Sequence, residues 1–179
     1  MKRIYSSAAA LLLLGACSPD GYTVRGNVEG LEAPYVYLIT FDGTYNVVDS
    51  AKVEAGAFAF AGKTERPEVA YLSIDKEQPF VRFFLENAEI GIGGNLHNPN
   101  EVYPTGTTAN EAMNAFNELT YDTGEAYNVT ELESDRQKLT DNYKRRMRKV
   151  IDRNRDNICG MIVLAETGSL FLSPQEVLE

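Results

Sequence analysis

YVYLITFDGTYNVVDSAKVEAGAFAFAG, residues 35 to 62, is the stretch whose reading decides the fold. Tyr35 to Phe41 is apolar at both parities, so it reads as a central strand covered on both faces. Asp42-Gly43 is tight-turn chemistry, and it leads into a second strand, Tyr45 to Val53. Gly56 turns the chain again into Phe58-Ala59-Phe60, whose two rings point to one face, and Gly62 ends that strand. Strands this close together have no helix-length insert between them. The pattern therefore favours an antiparallel sandwich or open barrel over βαβ units.

The flanks agree. Tyr22 to Val28 alternates apolar and polar residues, as a strand with one wet face should. Val69 to Ile74, Phe80 to Leu85 and Glu89 to Ile92 supply three more strands. Gly91-Ile92-Gly93-Gly94 is followed by no Gly-Lys-Ser/Thr and opens no helix, so it reads as a strand end and turn rather than a phosphate cradle. After Tyr103-Pro104-Thr105-Gly106 the composition shifts. Met113, Phe116 and Leu119 sit at helical spacing in Asn110 to Tyr121, with Thr108 as the cap. From Glu131 a stripe of Leu132, Leu139, Tyr143, Met147, Val150 and Ile151 predicts a longer helix. Asn154 to Asn157 marks a break and a new cap. Ile158, Met161, Ile162 and Ala165 form a further apolar face, with Gly168 as its C′ residue. Ser173-Pro174-Gln175-Glu176 is a helix start, with a Ser cap, Pro at the first position and Glu at the third. The expected fold class is mostly β followed by α: an antiparallel β-sandwich-like domain over residues 22–106, then a helical connector over 107–179.

The N-terminus reads as an export signal over residues 1–16. Lys2 and Arg3 give a positive start, Ala8 to Leu14 an apolar centre, and Gly15-Ala16 small residues before the cleavage point. The apolar stretch from Ile4 to Ala16 is too short to span a membrane, which takes about 20 residues. Leu14-Gly15-Ala16-Cys17 resembles a lipobox residue for residue. That resemblance implies Cys17 as the lipidated first residue of a mature envelope protein, with residues 17–21 as its tether. A thiolate is a good nucleophile, which is why a Cys can take up a diacylglycerol as a thioether. Two or three acyl chains make such an anchor effectively permanent. The residues after Cys17 lack an acidic-lysine export signature, so the expected location is the periplasmic side of the membrane.

Removing residues 1–16 leaves 15 basic against 26 acidic residues, a net charge of −11. Such a surface is expected to bind neither nucleic acid nor anionic lipid non-specifically. With Cys17 lipidated, Cys159 has no disulfide partner, and no Cys-x-x-Cys occurs anywhere.

The β segment resembles the domain of unknown function 4369, known mainly from Bacteroidota lipoproteins. The resemblance rests on Val36-Tyr37-Leu38, Asp49-Ser50-Ala51-Lys52-Val53, Gly56, Phe58, Phe60 and Gly62. It continues through Pro67, Tyr71, Leu85-Glu86-Asn87, Ile90, Ile92, Gly106 and Asn110, and it covers about residues 22 to 120. It implies a domain that precedes a thioredoxin-like domain of the ResA/TlpA or peroxiredoxin type, with residues to 179 leading to it. That downstream domain and its Cys-x-x-Cys are absent from this sequence, so the resemblance carries no redox residue over to it.

The remaining candidates are few. Cys159 lies in an apolar helix and reads as a packed structural thiol. His97, the only His, sits in a turn with no second ligand at metal spacing, so no metal site and no cofactor is expected. Lys144-Arg145-Arg146-Met147-Arg148-Lys149 is the sharpest charge feature. Its bland reading is a solvated helix face; its functional reading makes Lys144, Arg145, Arg148 and Lys149 a contact for an acidic partner or for lipid headgroups. Asp49-Ser50-Ala51 fits a serine glycosylation pattern of Bacteroidota envelope proteins, although the same residues belong to a core strand. Two functions emerge. One is a non-catalytic accessory domain for a thioredoxin-like partner. The other is an independent glycan- or protein-binding module using Tyr35, Tyr37, Tyr45 and Tyr103.

Overall fold

In the computed structural model, which describes residues 20–41, 43–98 and 101–178, the alternation of the first strand is realised side chain by side chain. β1 (Tyr22–Glu29) buries Tyr22, Val24 and Val28 and turns Arg25, Asn27 and Glu29 to solvent. It is followed by β2 (Tyr35–Phe41), β3 (Tyr45–Lys52), β4 (Ala57–Gly62), β5 (Glu68–Ser73), β6 (Pro79–Leu85), β7 (Glu89–Asn95) and β8 (Tyr103–Thr105). These strands form two four-stranded sheets, ordered β4-β1-β7-β8 and β3-β2-β5-β6. All pairings are antiparallel except β1 with β7, which runs parallel from Thr23↔Glu89 to Glu29↔Asn95. Inward side chains of both sheets share one core, including Val24, Leu38, Phe58, Phe60, Leu72, Phe83 and Ile90. The mostly-β sandwich followed by helices is therefore the observed architecture.

Details depart from the sequence reading. β7 does not end at Ile92. It runs on through Gly93 and Gly94 to Asn95, and β8 pairs with it over Gly91↔Thr105, Ile92↔Pro104 and Gly93↔Tyr103. A Cβ at Gly91 would meet Thr105 Oγ1 at 2.7 Å, so the glycine serves close strand approach there, not a turn. The β3–β4 turn does follow expectation: Ala55 (φ 52°) and Gly56 (φ 81°) give two successive positive-φ residues, as a type I′ hairpin requires.

The helices are α1 (Thr108–Val129), α2 (Glu133–Arg153) and α3 (Ile158–Val163), then a π turn (Leu164–Gly168), α4 (Ser169–Phe171) and α5 (Pro174–Leu178). The cap of α1 is Thr107, not Thr108; its Oγ1 accepts from the Asn110 N–H. Asn157 caps α3 by accepting from the Cys159 N–H at 2.9 Å, as the break at 154–157 implies. Gly168 is not a C′ residue. Its φ is −56° and the chain stays helical through it to Phe171. The buried face of α3 is Ile158, Cys159 and Val163, while Met161 is 61% exposed. The capping box at the last helix is formed: the Ser173 N–H donates to Glu176 Oε2 (2.8 Å) and the Glu176 N–H to Ser173 Oγ (3.4 Å).

These helices form a third layer on the outer face of the second sheet. Phe84 points from β6 away from the sandwich core into a second one, with Ala109, Phe116, Leu119, Tyr143, Met147, Ile158, Cys159 and Val163. Two asparagines clip the chain by imitating a backbone, one on a strand and one on a loop. Asn110, fully buried on α1, accepts from the Phe84 N–H (2.8 Å) and donates to the Phe84 carbonyl (2.9 Å), closing the β6 edge. Asn87 does the same to Thr64, at 3.0 and 2.8 Å.

Candidate functional site

The helices cover only the β5–β6 half of that outer face. Along β2, Val36 and Leu38 enter the sandwich core, so Tyr35, Tyr37, Ile39 and Phe41 face outward. Register sets Tyr37 between Ser50 and Ser73, Ile39 between Val47 and Tyr71, Phe41 opposite Tyr45, and Tyr71 opposite Arg82. A bulge between Leu38 and Ile39 leaves Val48 of β3 as the extra residue, so Tyr45 and Val47 land on the aromatic side. The rings touch. Phe41 and Tyr45 are 5.2 Å apart at 55°, and Tyr45 meets Tyr71 edge-on at 5.7 Å. Beneath them Ile39 has no exposure, whereas Tyr35, Phe41, Tyr45 and Val47 are each about half exposed. Contiguous apolar area of this kind on a sheet marks an interaction surface more often than scattered apolar residues do.

Polar groups border the face. Lys76 has left-handed backbone (φ 70°), unusual for a side-chain-bearing residue, and its ammonium lies 4.6 Å from the Tyr37 ring centroid. The turn that holds Lys76 there is organised by Asp75, whose Oδ1 accepts from the Gln78 and Glu77 N–H groups and from Ser73 Oγ. Those donors hold its carboxyl below the usual carboxylate range. On the helix side, Arg82 makes a bidentate pair with Glu166 of the π turn, at 2.7 and 3.0 Å. Burial pulls the Arg82 guanidinium down, and Glu166 outweighs this to hold it above its ordinary value. The pair is the seam between the covered and open halves.

Three tyrosines expected as binding tools, Tyr35, Tyr37 and Tyr45, thus share this face. Tyr103 does not; it lies on β8 of the other sheet. Phe41, Tyr71, Lys76 and Arg82 also belong to the face, although the sequence pattern assigns none of them a binding role. Ser50 is exposed on the β3 edge strand, its own N–H bonded to Asp49 Oδ1 (2.7 Å).

The chain's own family now follows from its span. The family model for a domain of unknown function (DUF4369) matches residues 22–113, just over half of the chain. The chain belongs to the DUF4369 family. No curated protein and no solved structure matches it. The DUF4369 match takes in all eight strands and the first residues of α1, and with them the aromatic face and both asparagine clips. The motif residues Asn87 and Asn110 are those clips, and Gly106 (φ 94°) makes the tight passage from β8 to α1 beside the Glu89 carbonyl.

The other candidates lie apart. Cys17, the signal over residues 1–16 and the first part of the tether are outside the described residues. Cys159 is fully buried, and burial pushes its thiol up to about 11. His97 is exposed in its turn, its N–H bonded to Asn95 Oδ1 (2.9 Å). Among the described residues no group of three His, Cys, Asp or Glu could hold a metal ion, and no helix is long and apolar enough to cross a membrane. The four cations expected to act together are divided. Arg148 is turned to α5, donating to the Glu176 carbonyl (3.0 Å) and lying 3.7 Å from its carboxylate, and Lys144 is half-buried. Arg145 and Lys149 face solvent.

Proposed function

We propose that this DUF4369 chain is a non-catalytic domain of a cell-envelope lipoprotein, tethered to the membrane through Cys17, and that it serves as the accessory domain of a thioredoxin-like partner. The observation that supports this most is the contrast between its thiol and its open sheet. Cys159 is sealed and held protonated at neutral pH, so it is a poor nucleophile. The aromatic half-face offers several half-exposed rings in mutual contact. The chain would hold a partner domain rather than carry out its chemistry.

The test is calorimetric titration of the chain with a thioredoxin-like domain of an envelope oxidoreductase. Saturable binding that Tyr45→Ala and Tyr71→Ala weaken at least tenfold is expected. No heat, or binding indifferent to both substitutions, would sink the reading. Insulin reduction by the chain alone should be blank. Acylation of Cys17 is checked separately by palmitate labelling, which Cys17→Ser should abolish.

A second reading is an independent glycan-binding module. The exposed Tyr35 and its face neighbour Tyr37 favour it, since Lys52 and Ser50 lie opposite them on β3 and supply polar groups. Because the chain has no Trp, oligosaccharide binding there would show as a change in tyrosine fluorescence.

A further inference from the structure

Folding redistributes the basic run of α2 in a way that linear order does not show. At about 100° per residue, Arg145 and Lys149 lie ~160° around the helix from Met147, and Arg146 and Arg153 ~100–120°. Met147 is fully buried and Tyr143 nearly so; both face the second core. Lys138, Arg145, Arg146, Lys149 and Arg153 therefore form one solvent stripe, about 22 Å long at 1.5 Å per residue. All five are exposed. Lys138 is paired with Asp135, while Arg146, Lys149 and Arg153 make no ion pair among the described residues. Lys144 and Arg148 belong to the neighbouring side, beside Glu176.

We propose that this stripe is a contact for the anionic headgroups of a phospholipid surface. Two observations favour a lipid plane over an acidic protein. First, every exposed residue from Gln137 to Arg153 is polar or charged, so the stripe lacks the buried aromatic or aliphatic anchor around which protein interfaces are built. A headgroup plane asks only for cations in a row. Second, α2 packs chiefly on α1 and α3, and the stripe lies on the side away from Met147, which faces the core shared with Phe84 of β6. The acidic sandwich then lies about one helix diameter, ~10 Å, or more behind the stripe, a distance at which physiological salt screens its repulsion. The inference is independent of acylation at Cys17 and of the aromatic face.

The experiment uses the chain from Ser18 onward, which keeps every described residue and lacks the acylable thiol. It is sedimented with vesicles of phosphatidylcholine alone or with 30% phosphatidylglycerol added. Binding to the anionic vesicles only, released by 0.5 M salt, is expected. The triple variant Arg146→Glu, Lys149→Glu, Arg153→Glu should lower partitioning by roughly a hundredfold or more. A control with the same net charge, Arg25→Glu, Lys63→Glu, Arg66→Glu, reverses exposed cations on the sandwich and should bind as the parent does. Circular dichroism of both variants confirms that the helices are retained. Equal binding to both vesicle types, no binding to either, or equal losses in the two variants would overturn the proposal.

Discussion

Phe84 and Tyr45 lie on the same face of the same sheet, and their surroundings could hardly differ more. Phe84 is 1% exposed under α1 and α3, with its backbone closed off by Asn110. Tyr45 is 52% exposed, on an edge strand where only Ala51 is buried. The covered half shows how the sheet is stabilised: an outward aromatic meets a helix layer and the free edge is satisfied by a side chain. The open half has the same raw material in Phe41, Tyr45, Val47 and Tyr71 but no layer on it. Apolar rings that remain wet do little for stability.

The sharpest way to break that comparison is to truncate one ring from each half. Phe84→Ala should destabilise by about 3–5 kcal/mol, since it leaves a cavity in the buried cluster it shares with Phe116, Met147 and Cys159. Tyr45→Ala should change stability by no more than ~1 kcal/mol, as surface substitutions do. Urea unfolding of the two variants against the parent measures the difference. Similar losses would mean that the open rings belong to the core after all. Next in size is Asn110→Ala, expected at about 2–4 kcal/mol. It leaves the Phe84 N–H and carbonyl without partners in a dry environment, which costs more than the bonds themselves are worth. Hydrogen exchange should then show the Phe84 amide as newly labile, while the Thr64–Asn87 clip stays protected.

These examples also show what could be read from the linear chain. β2 is legible as a central strand because Val36, Leu38 and Ile39 leave no polar parity, but its outer face is not covered as that pattern predicts: only Ile39 is buried there, and Tyr35 and Phe41 are about half exposed. The capping box at Ser173 and Glu176 is legible because capping is local. β7 was cut short because Gly91, Gly93 and Gly94 have no side chains to display an alternation, and β8 was missed because three residues including a Pro carry no pattern. The parallel pairing of β1 with β7 joins residues more than sixty positions apart, and local chemistry does not encode it. The aromatic face was legible only in part. Tyr35, Tyr37 and Tyr45 could be named as exposed rings, but a bulge at Val48 decides which side Tyr45 takes. Tyr71, Arg82 and Lys76 join them only through strand order. The basic run was visible as charge, yet its division into a stripe and a pair beside Glu176 needed the buried position of Met147.

A smaller effect is expected at the seam. Arg82→Met removes the bidentate pair with Glu166, whose partners are about a third and a half exposed. After discounting for solvent screening it should cost ~0.5–1 kcal/mol at low salt and less at high salt. The informative readout is local: amide exchange in the π turn, Leu164 to Gly168, should quicken, while that of β5 stays unchanged. If β5 loosened as well, the helix layer and the open face would form one cooperative unit rather than two.

The smallest expected effect concerns acid, and it separates the halves by pH instead of mutation. The open half depends on Asp75, whose carboxyl is held down by the Gln78, Glu77 and Ser73 donors; the helical layer ends at Glu176, held down by its bonds to Ser173 and then by Arg148 and Lys144. Both values are lower in the folded chain than in the unfolded one. Each carboxylate therefore contributes its stabilisation above its ordinary value, 3.8 for Asp75 and 4.5 for Glu176, and loses it as pH falls through the lower folded value. Between pH 7 and pH 5 neither half should respond. Below about pH 4 the Asp75 turn should loosen and release Lys76 from the Tyr37 ring, seen as movement of the Tyr37 ring resonances, while the Phe84 resonances hold still. Asp75→Asn keeps one acceptor oxygen but removes the titrating charge, so it should abolish that movement. A Tyr37 shift that persisted in Asp75→Asn, or one already under way at pH 6, would show that the Asp75 turn does not control the Lys76 contact. The left-handed backbone at Lys76 would then need another cause.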